Sequence, residues 1–440
     1  MASRTIKLLV VLGLFALTFS IAGPQVATSP VAAQRGLALP AYRALVQAAD
    51  QASWADPGRS APGAHVAALV QLDLPPLAVV GHEWSHARRL EYARQVAAEQ
   101  RRVAAEVQAL GGTVLAGFTH AAAGLAVAVE AAAAPALRDL PGVAAVVQVS
   151  DYAVDQGAPG PATATLAGLS ALIGADAVRE LGNDGAGIDI AIVDSGVDYT
   201  HVKLGGSGSL ADYQRAACGA AGLAPGQSGC DPSRPPPPDL FPNSKVRGGF
   251  DYLGDVWPNP DPRCGALGVC IFFDENPIDL AGHGTSVADI MTGLATQAGG
   301  ADSGVAPGAN LWVYKACNGD AGLCNGVALL RALDAALDLD GSDRGLCTPG
   351  VTPGCRAYDP ADIINLSESF SYGQPEDALV LFADIASYYG SLVVASAGND
   401  GDRPFIVGSP AAAAAALAVA ESALPGATGD ERIAASASRG

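Results

Sequence analysis

The feature that most constrains this chain is a series of short apolar runs without polar alternation: Ile188 to Val193, Asn310 to Lys315, Asp362 to Leu366, Leu392 to Ala395 and Ala414 to Ala420. A strand with one wet face alternates polar and apolar residues, whereas a parallel strand covered on both faces does not. Helical stretches separate the runs, so residues 168–440 are expected to form an α/β domain with a mainly parallel sheet and helices on both faces. The long insertion between the first two runs carries Pro235 to Pro238 and four of the cysteines. It reads as surface loop beside a binding site.

Residues 62–155 follow another pattern. A strand from His65 to Leu72, a long helix ending at Gly111-Gly112, strands from Thr113 and from Leu125 to Val129, a short helix from Ala133 to Leu140 and a strand from Val143 to Val149 give β-α-β-β-α-β. That order folds as a small ferredoxin-like α+β unit. A loose Ala, Pro and Gly stretch precedes it, and residues 156–167, rich in Gly, Pro, Ala and Thr, read as a linker.

Residues 1–33 are expected to be a secretion signal: Arg4 and Lys7 precede an apolar run from Leu8 to Ala22, then small residues near Ala27 and Ala33. The run is short for a membrane anchor and no later stretch is continuous enough to span a bilayer, so an extracellular protein free of the membrane is expected. Lys and Arg number 25 against 44 Asp and Glu, a formal charge of −19, which argues against a nucleic-acid partner. All eight cysteines lie downstream, and an even number in an exported chain implies disulfides. Their successive short spacings favour Cys218–Cys230, Cys264–Cys270, Cys317–Cys324 and Cys347–Cys355. None stands in the tight C-x-x-C spacing of structural zinc.

Three segments carry chemistry. Asp194-Ser195-Gly196-Val197-Asp198 sets a carboxylate at the carboxyl end of a strand, where open α/β sheets form ligand crevices. Gly282-His283-Gly284-Thr285-Ser286-Val287-Ala288 opens an apolar helix. Its small neighbours leave the imidazole free, and the positive helix end favours the neutral ring a general base needs. Ser396-Ala397-Gly398-Asn399-Asp400-Gly401 places a side-chain amide on a glycine-flanked loop, where its N–H can meet a developing oxyanion. Singly these read as a cap, a structural histidine and a turn. Together, in the order Asp, His, Asn at the ends of buried elements, they follow the chain order of one class of serine-protease triad.

Here the chain resembles the subtilase family of serine proteases. Asp194 to His201 resembles the family's aspartate motif, Gly282 to Ala288 its histidine motif and Ala397 to Asp400 its oxyanion motif, with Gly304 to Ala309 and Ile363 to Ser367 as further family segments. The likeness runs from about 168 to 440. Residues 64–150, with Phe118-Thr119-His120 and Leu140-Pro141-Gly142-Val143, resemble the inhibitory propeptide of many subtilases. The resemblance implies that Asp194 orients and stabilises His283, that His283 takes the proton of an attacking serine, and that Asn399 holds the oxyanion. It implies that Ser367, Glu368 and Ser369 line the peptide cleft, with proteins or peptides as substrates and the chain's own propeptide as inhibitor. No cofactor is required. Relatives often hold structural calcium, for which Asp338, Asp340 and Asp343 are candidates, although a polar loop before Cys347 is the commoner meaning of such a run. Glu368, where many relatives are apolar, reads as solvated or as a bias toward basic substrate residues.

The nucleophile is not found. The family places it after the asparagine loop, in a G-T-S-x-A turn opening a buried helix, and Ser409, Ser422, Ser436 and Ser438 lack that context. Gly284-Thr285-Ser286-Val287-Ala288 spells the motif, yet residues three apart on one helix point along it rather than into a shared site. The expectation is a sequence truncated before its serine, poorly stable and unable to cut peptides alone. The rival reading is a pseudoprotease, or an inhibitor acting through the propeptide-like unit. His82-Glu83-Trp84-Ser85-His86 matches the H-E-x-x-H zinc pattern. Its third ligand would have to be Glu106, about 30 Å along one helix at about 1.5 Å per residue, so chance is the better explanation and no metal ligands are assigned.

Overall fold

The computed structural model describes residues 37–53, 65–154, 166–255, 271, 273–297, 302–318, 322–339, 341–342, 351, 356, 359–423, 432–434 and 436–438. The expected signal segment, most of the linker and both Asp340 and Asp343 lie outside them, as do Cys264, Cys270, Cys347 and Cys355.

The stretch expected to be loose forms α1 (Leu39–Ser53). Tyr42, Val46 and Ala49 lie at helical spacing and are buried, a stripe diluted by alanine and therefore easily missed in sequence. Next come β1 (His65–Leu72), α2 (Leu77–Val80), α3 (His86–Ala109), β2 (Thr113–Phe118), β3 (Gly124–Glu130), a 3₁₀ turn at Ala134–Asp139 and β4 (Val143–Val149). The strands form an antiparallel sheet in the order β2-β3-β1-β4, the ferredoxin-like order. The pleat sends successive residues to opposite faces. Ala68, Val70 and Leu72 meet Val103 and Val107 of α3, while Leu69, Ala126, Ala145 and Val147 face the rest of the molecule.

After β4 the chain forms β5 (Tyr152–Val154), α4 (Leu166–Leu172) and α5 (Ala175–Glu180). It continues through β6 (Asp189–Asp194), α6 (Leu210–Cys218), β7 (Val246–Asp251), α7 (His283–Thr292), β8 (Asn310–Lys315), β9 (Cys317–Asn318) and β10 (Leu323–Cys324). Then come α8 (Gly326–Ala335), β11 (Ile363–Leu366), β12 (Glu368–Ser369), α9 (Ala378–Tyr389), β13 (Leu392–Ser396), β14 (Leu417–Val419), β15 (Ser422–Ala423) and β16 (Arg432–Ile433). The main sheet is parallel throughout, in the order β14-β13-β11-β6-β8-β7. The insertion expected to be surface loop thus contributes a strand of its own, β7.

At the sheet centre the two-sided burial expected from the apolar runs is present. Ile190 and Ile192 pack with Ala288 of α7, whereas Ala191 and Val193 join the core under α8 and α9. Toward β14 the coverage becomes one-sided among the described residues. Ile364, Leu366, Val393 and Ala395 are buried under the helices, while Ile363, Asn365, Val394 and Ser396 on the opposite face are only half-buried. Leu417 and Val419 of β14 are about half exposed, at 51% and 49%.

Two of the expected disulfides are formed, Cys218–Cys230 and Cys317–Cys324. The first ties the end of α6 to the following loop, and the second joins β9 to β10.

Candidate active site

β6 delivers Asp194 and the start of α7 delivers His283. The two meet with His283 Nδ1 at 2.7 Å from Asp194 Oδ1. Asp194 is buried and its Oδ1 also accepts the Ser195 backbone N–H at 2.7 Å, while the His283 side chain keeps 21% of its surface exposed. A carboxylate fixed from behind thus contacts a partly exposed imidazole. Gly284 is obligatory here: a Cβ would lie 2.1 Å from the Gly196 carbonyl oxygen and 3.1 Å from the Asp194 Cβ. That approach lets the helix start reach the strand end.

Residues that the sequence reasoning did not single out hold the pair together. Asp279, buried, accepts from the Ser195 hydroxyl (3.1 Å) and from the Ala281 and Gly282 N–H groups (2.9 Å each) through one oxygen. Its other oxygen takes the Thr285 N–H (2.9 Å) and hydroxyl (2.6 Å). Ser195 Oγ in turn accepts from the Gly284 N–H at 3.0 Å, and Thr285 Oγ1 from the Asp198 N–H at 2.9 Å. The strand-end turn and the helix N-terminus are therefore laced through one carboxylate. The signal available in sequence was an acidic residue four positions before the histidine, in the helix-capping region.

His283 opens onto a cleft of about 310 Å³ lined also by Asn365, Leu366, Ser367, Gly398, Asn399 and Val419. Asn399 is half-buried on the loop after β13, and Gly398 before it has φ of 103°, a backbone that favours glycine. Ser438 supports this loop, donating its N–H to the Gly398 carbonyl (2.8 Å) and accepting the Asp400 N–H on its hydroxyl (3.1 Å). Ser367 accepts from the Asn365 amide at 3.0 Å. Asp194, His283, Ser367 and Asn399 thus gather at one end of the parallel sheet.

Ser369 and Glu368 form β12, which pairs antiparallel with β5. Glu368 lies opposite Val154 and Ser369 opposite Ala153, and the other edge of β5 pairs with β10, Leu323 opposite Ala153 and Cys324 opposite Tyr152. Three residues downstream of the ferredoxin-like unit are thereby seated between two strands of the larger one. Glu368 is accordingly buried, at 1% exposure, and not solvated as its sequence context suggested.

Ser286 donates its hydroxyl to the Gly282 carbonyl at 2.8 Å and is exposed, a bond within its own helix. Ser436 donates to Glu421, and Ser409 is paired through its backbone with Phe370. The H-E-x-x-H residues do not share a helical face. His82 sits in a turn, Ser85 caps α3 by accepting the Arg88 N–H, and the helix begins only at His86. Glu106 is far along it, paired with Arg102.

Asp338, of the three aspartates considered for calcium, is buried. The described acidic group that does gather is Asp251, Asp255 and Asp274, whose carboxylate oxygens lie within 4.8 Å of one another. Lys315, buried at the end of β8, pairs with Asp251 at 3.0 Å and with Asp255. Burial, reinforced by the Asp251 charge, pushes the Asp274 carboxyl up to about 8. The ammonium already supplies a cation to this cluster, next to the strand that ends in Asp194.

Among known proteins, the Minor extracellular protease Vpr of Bacillus subtilis is 27% identical over 259 residues, which cover 58% of this chain and 23% of that protein. The chain thus spans less than a quarter of that curated relative. Among solved structures, fervidolysin from Fervidobacterium pennivorans, described as a keratinolytic enzyme related to subtilisin, matches with a TM-score of 0.47 and 17% identity over 87% of this chain and 46% of its own. The epidermin leader peptide processing serine protease of Staphylococcus aureus matches with a TM-score of 0.43 and 15% identity over 77% and 62% of the two chains. No described helix is long and apolar enough to cross a membrane. Residues 185–438, more than half of the chain and including Asp194, His283 and Asn399, match the peptidase S8 subtilase family, and the chain belongs to that family.

Proposed function

We propose that this chain is part of a secreted serine endopeptidase that hydrolyses peptide bonds in protein or peptide substrates. Asp194 orients His283 and stabilises its charged form, His283 acts as the general base, and Asn399 donates to the oxyanion of the tetrahedral intermediate. Ser367, Glu368 and Ser369 hold the substrate backbone as an added antiparallel strand. The observation that carries this reading is the 2.7 Å contact between Asp194 and His283, opening onto a cleft shared with Asn399 and Ser367. Family membership calls for no cofactor, and an extracellular site of action agrees with the extracellular relative.

The nucleophilic serine, on this reading, is carried by residues other than these 440. Every serine beyond Asn399 whose contacts are described serves a loop or a strand pairing. The half-covered face of β11, β13 and β14 beside His283 suits a helix bearing the missing group. Residues 62–155 act as the inhibitory propeptide, and β5, near their end, fills the substrate cleft until it is cleaved or displaced. Asp334 of α8 supports this docking: its buried carboxylate accepts the N–H groups of His120 and Ala121 at 2.8 Å each and of Thr119 at 3.2 Å.

The test begins with the coding sequence beyond the codon for Gly440. A G-T-S-x-A segment there, with peptide hydrolysis by the encoded product that disappears in His283→Ala, is the expected result. A stop codon directly after Gly440, with no hydrolysis and with inhibition of other subtilases, would replace the enzyme by the inhibitor reading.

A further inference from the structure

The strand that fills the cleft brings with it one side chain for which the larger unit has built a pocket. Tyr152 is only 1% exposed although it belongs to a short connecting strand. Its ring stands edge-on to Phe370, with centroids 5.9 Å apart and planes at 80°. Its hydroxyl donates to Asp377 Oδ1 at 2.5 Å. That carboxylate is not placed by the tyrosine: Asp377 is the N-cap of α9, where Oδ1 also accepts the Leu379 N–H at 2.8 Å. The acceptor is thus held by the fold, and the strand presenting the phenol is held by backbone pairing on both edges.

We propose that Asp377 and Phe370 form a tyrosine-reading subsite of the peptide cleft, selecting substrates with tyrosine at the position that Tyr152 occupies on β5. The inference rests on the reading of β5 as a substrate-like strand. Its physical basis is the asymmetry of buried hydrogen bonds: a phenylalanine would fill the same space but remove the hydroxyl donor from a buried carboxylate that keeps only its helix-cap bonds, and sites built around a substrate hydroxyl discriminate strongly against analogues lacking it. Phe370 supplies an aromatic ring that a lysine chain would not match, although a lysine would satisfy the charge.

The full chain tests this by hydrogen exchange at the amides of β5 and β12, with the peptides Ac-Asp-Tyr-Ala-Val-NH2 and its phenylalanine and lysine counterparts as competitors. The tyrosine peptide is expected to displace β5, seen as faster β5 exchange, at roughly tenfold lower concentration than either counterpart. Tyr152→Phe is expected to speed β5 opening by a similar factor. Asp377→Ser keeps a helix-capping oxygen but draws the acceptor back from the phenol, and should erase the discrimination without unfolding α9. Equal potency of the tyrosine and phenylalanine peptides, or a more potent lysine peptide, overturns the subsite. Unprotected β5 amides in the unaltered chain overturn the seating of β5, and with it the cleft reading beneath both proposals.

Discussion

The two main sheets bury their strands by different means. In the antiparallel sheet of β1 to β4, each strand splits between two cores, one private to α3 and one shared with α8 and α9 of the larger unit. The shared face is lined by small residues such as Ala116, Ala126 and Ala145, so another layer can approach closely. Among the described residues, the parallel sheet is closed on both faces only at its centre. Toward β14 one face stays half-open, and there His283 and Asn399 border a cleft. The smaller sheet therefore uses its second face for docking, and the larger leaves its incomplete face to the cleft.

The docking side of this contrast is where the largest effect is expected. Asp334→Ala removes the acceptor of three backbone N–H groups and should cost about 3–5 kcal/mol, measured by urea unfolding. Burial raises the Asp334 carboxyl, but the hydrogen bond and charge of His120, the Arg331 charge and the Ala121 N–H outweigh it and hold the group below its usual value. A depressed carboxyl stabilises the fold above its unfolded value near 3.8, and this contribution is lost as pH falls through the lower folded value.

Phe382, which packs edge-on to Phe118 across the shared core, comes next: Phe382→Ala is expected to cost about 3–4 kcal/mol and to loosen β2 and α9 together in hydrogen exchange. Val127→Ala, in the private core, should cost about 2 kcal/mol and leave α9 protection unchanged. If Val127→Ala loosened α9 as much as Phe382→Ala did, the separation into private and shared cores would fail.

A smaller effect should appear beneath the catalytic candidates. The Asp274 carboxyl, raised to about 8 by burial and by Asp251, binds a proton more tightly folded than unfolded. Its contribution is complete below its unfolded value near 3.8 and lost as pH rises through about 8, opposite in sign to Asp334. Asp274→Asn should flatten the decline in Tm between those limits, and an unchanged slope would remove the group from the balance. Ser286→Ala marks the bottom of the scale, within about 0.5 kcal/mol, because the lost bond lies within its own exposed helix.

Much of the architecture was legible because it depends on local pattern. The unbroken apolar run at Ile188 to Val193 marked a strand buried on both faces, and β1 and β4 stood out at His65 to Leu72 and Val143 to Val149. α1 was hidden because its buried stripe is narrow and alanine-rich. β7 was hidden because Gly248 and Gly249 interrupt its apolar pattern within an insertion full of turn residues. In the candidate site, Asp194 and His283 stood out from the small residues around them, since close approach of strand end and helix start demands glycine, and Asn399 from the glycines of its loop. Asp279 carried no comparable mark, being an ordinary capping residue until its five hydrogen bonds are traced.

Sequence by itself determined the fold class, the order of the catalytic candidates and the nearest-neighbour cysteine pairs Cys218–Cys230 and Cys317–Cys324, because period, spacing and glycine tolerance are local properties. Only the tertiary structure decided that β5 lies between β10 and β12, that Glu368 beside it is buried, and that Tyr152 meets Asp377. Those contacts join residues far apart in the chain, with 225 positions between Tyr152 and Asp377, and their energies exist only once both units have been brought together.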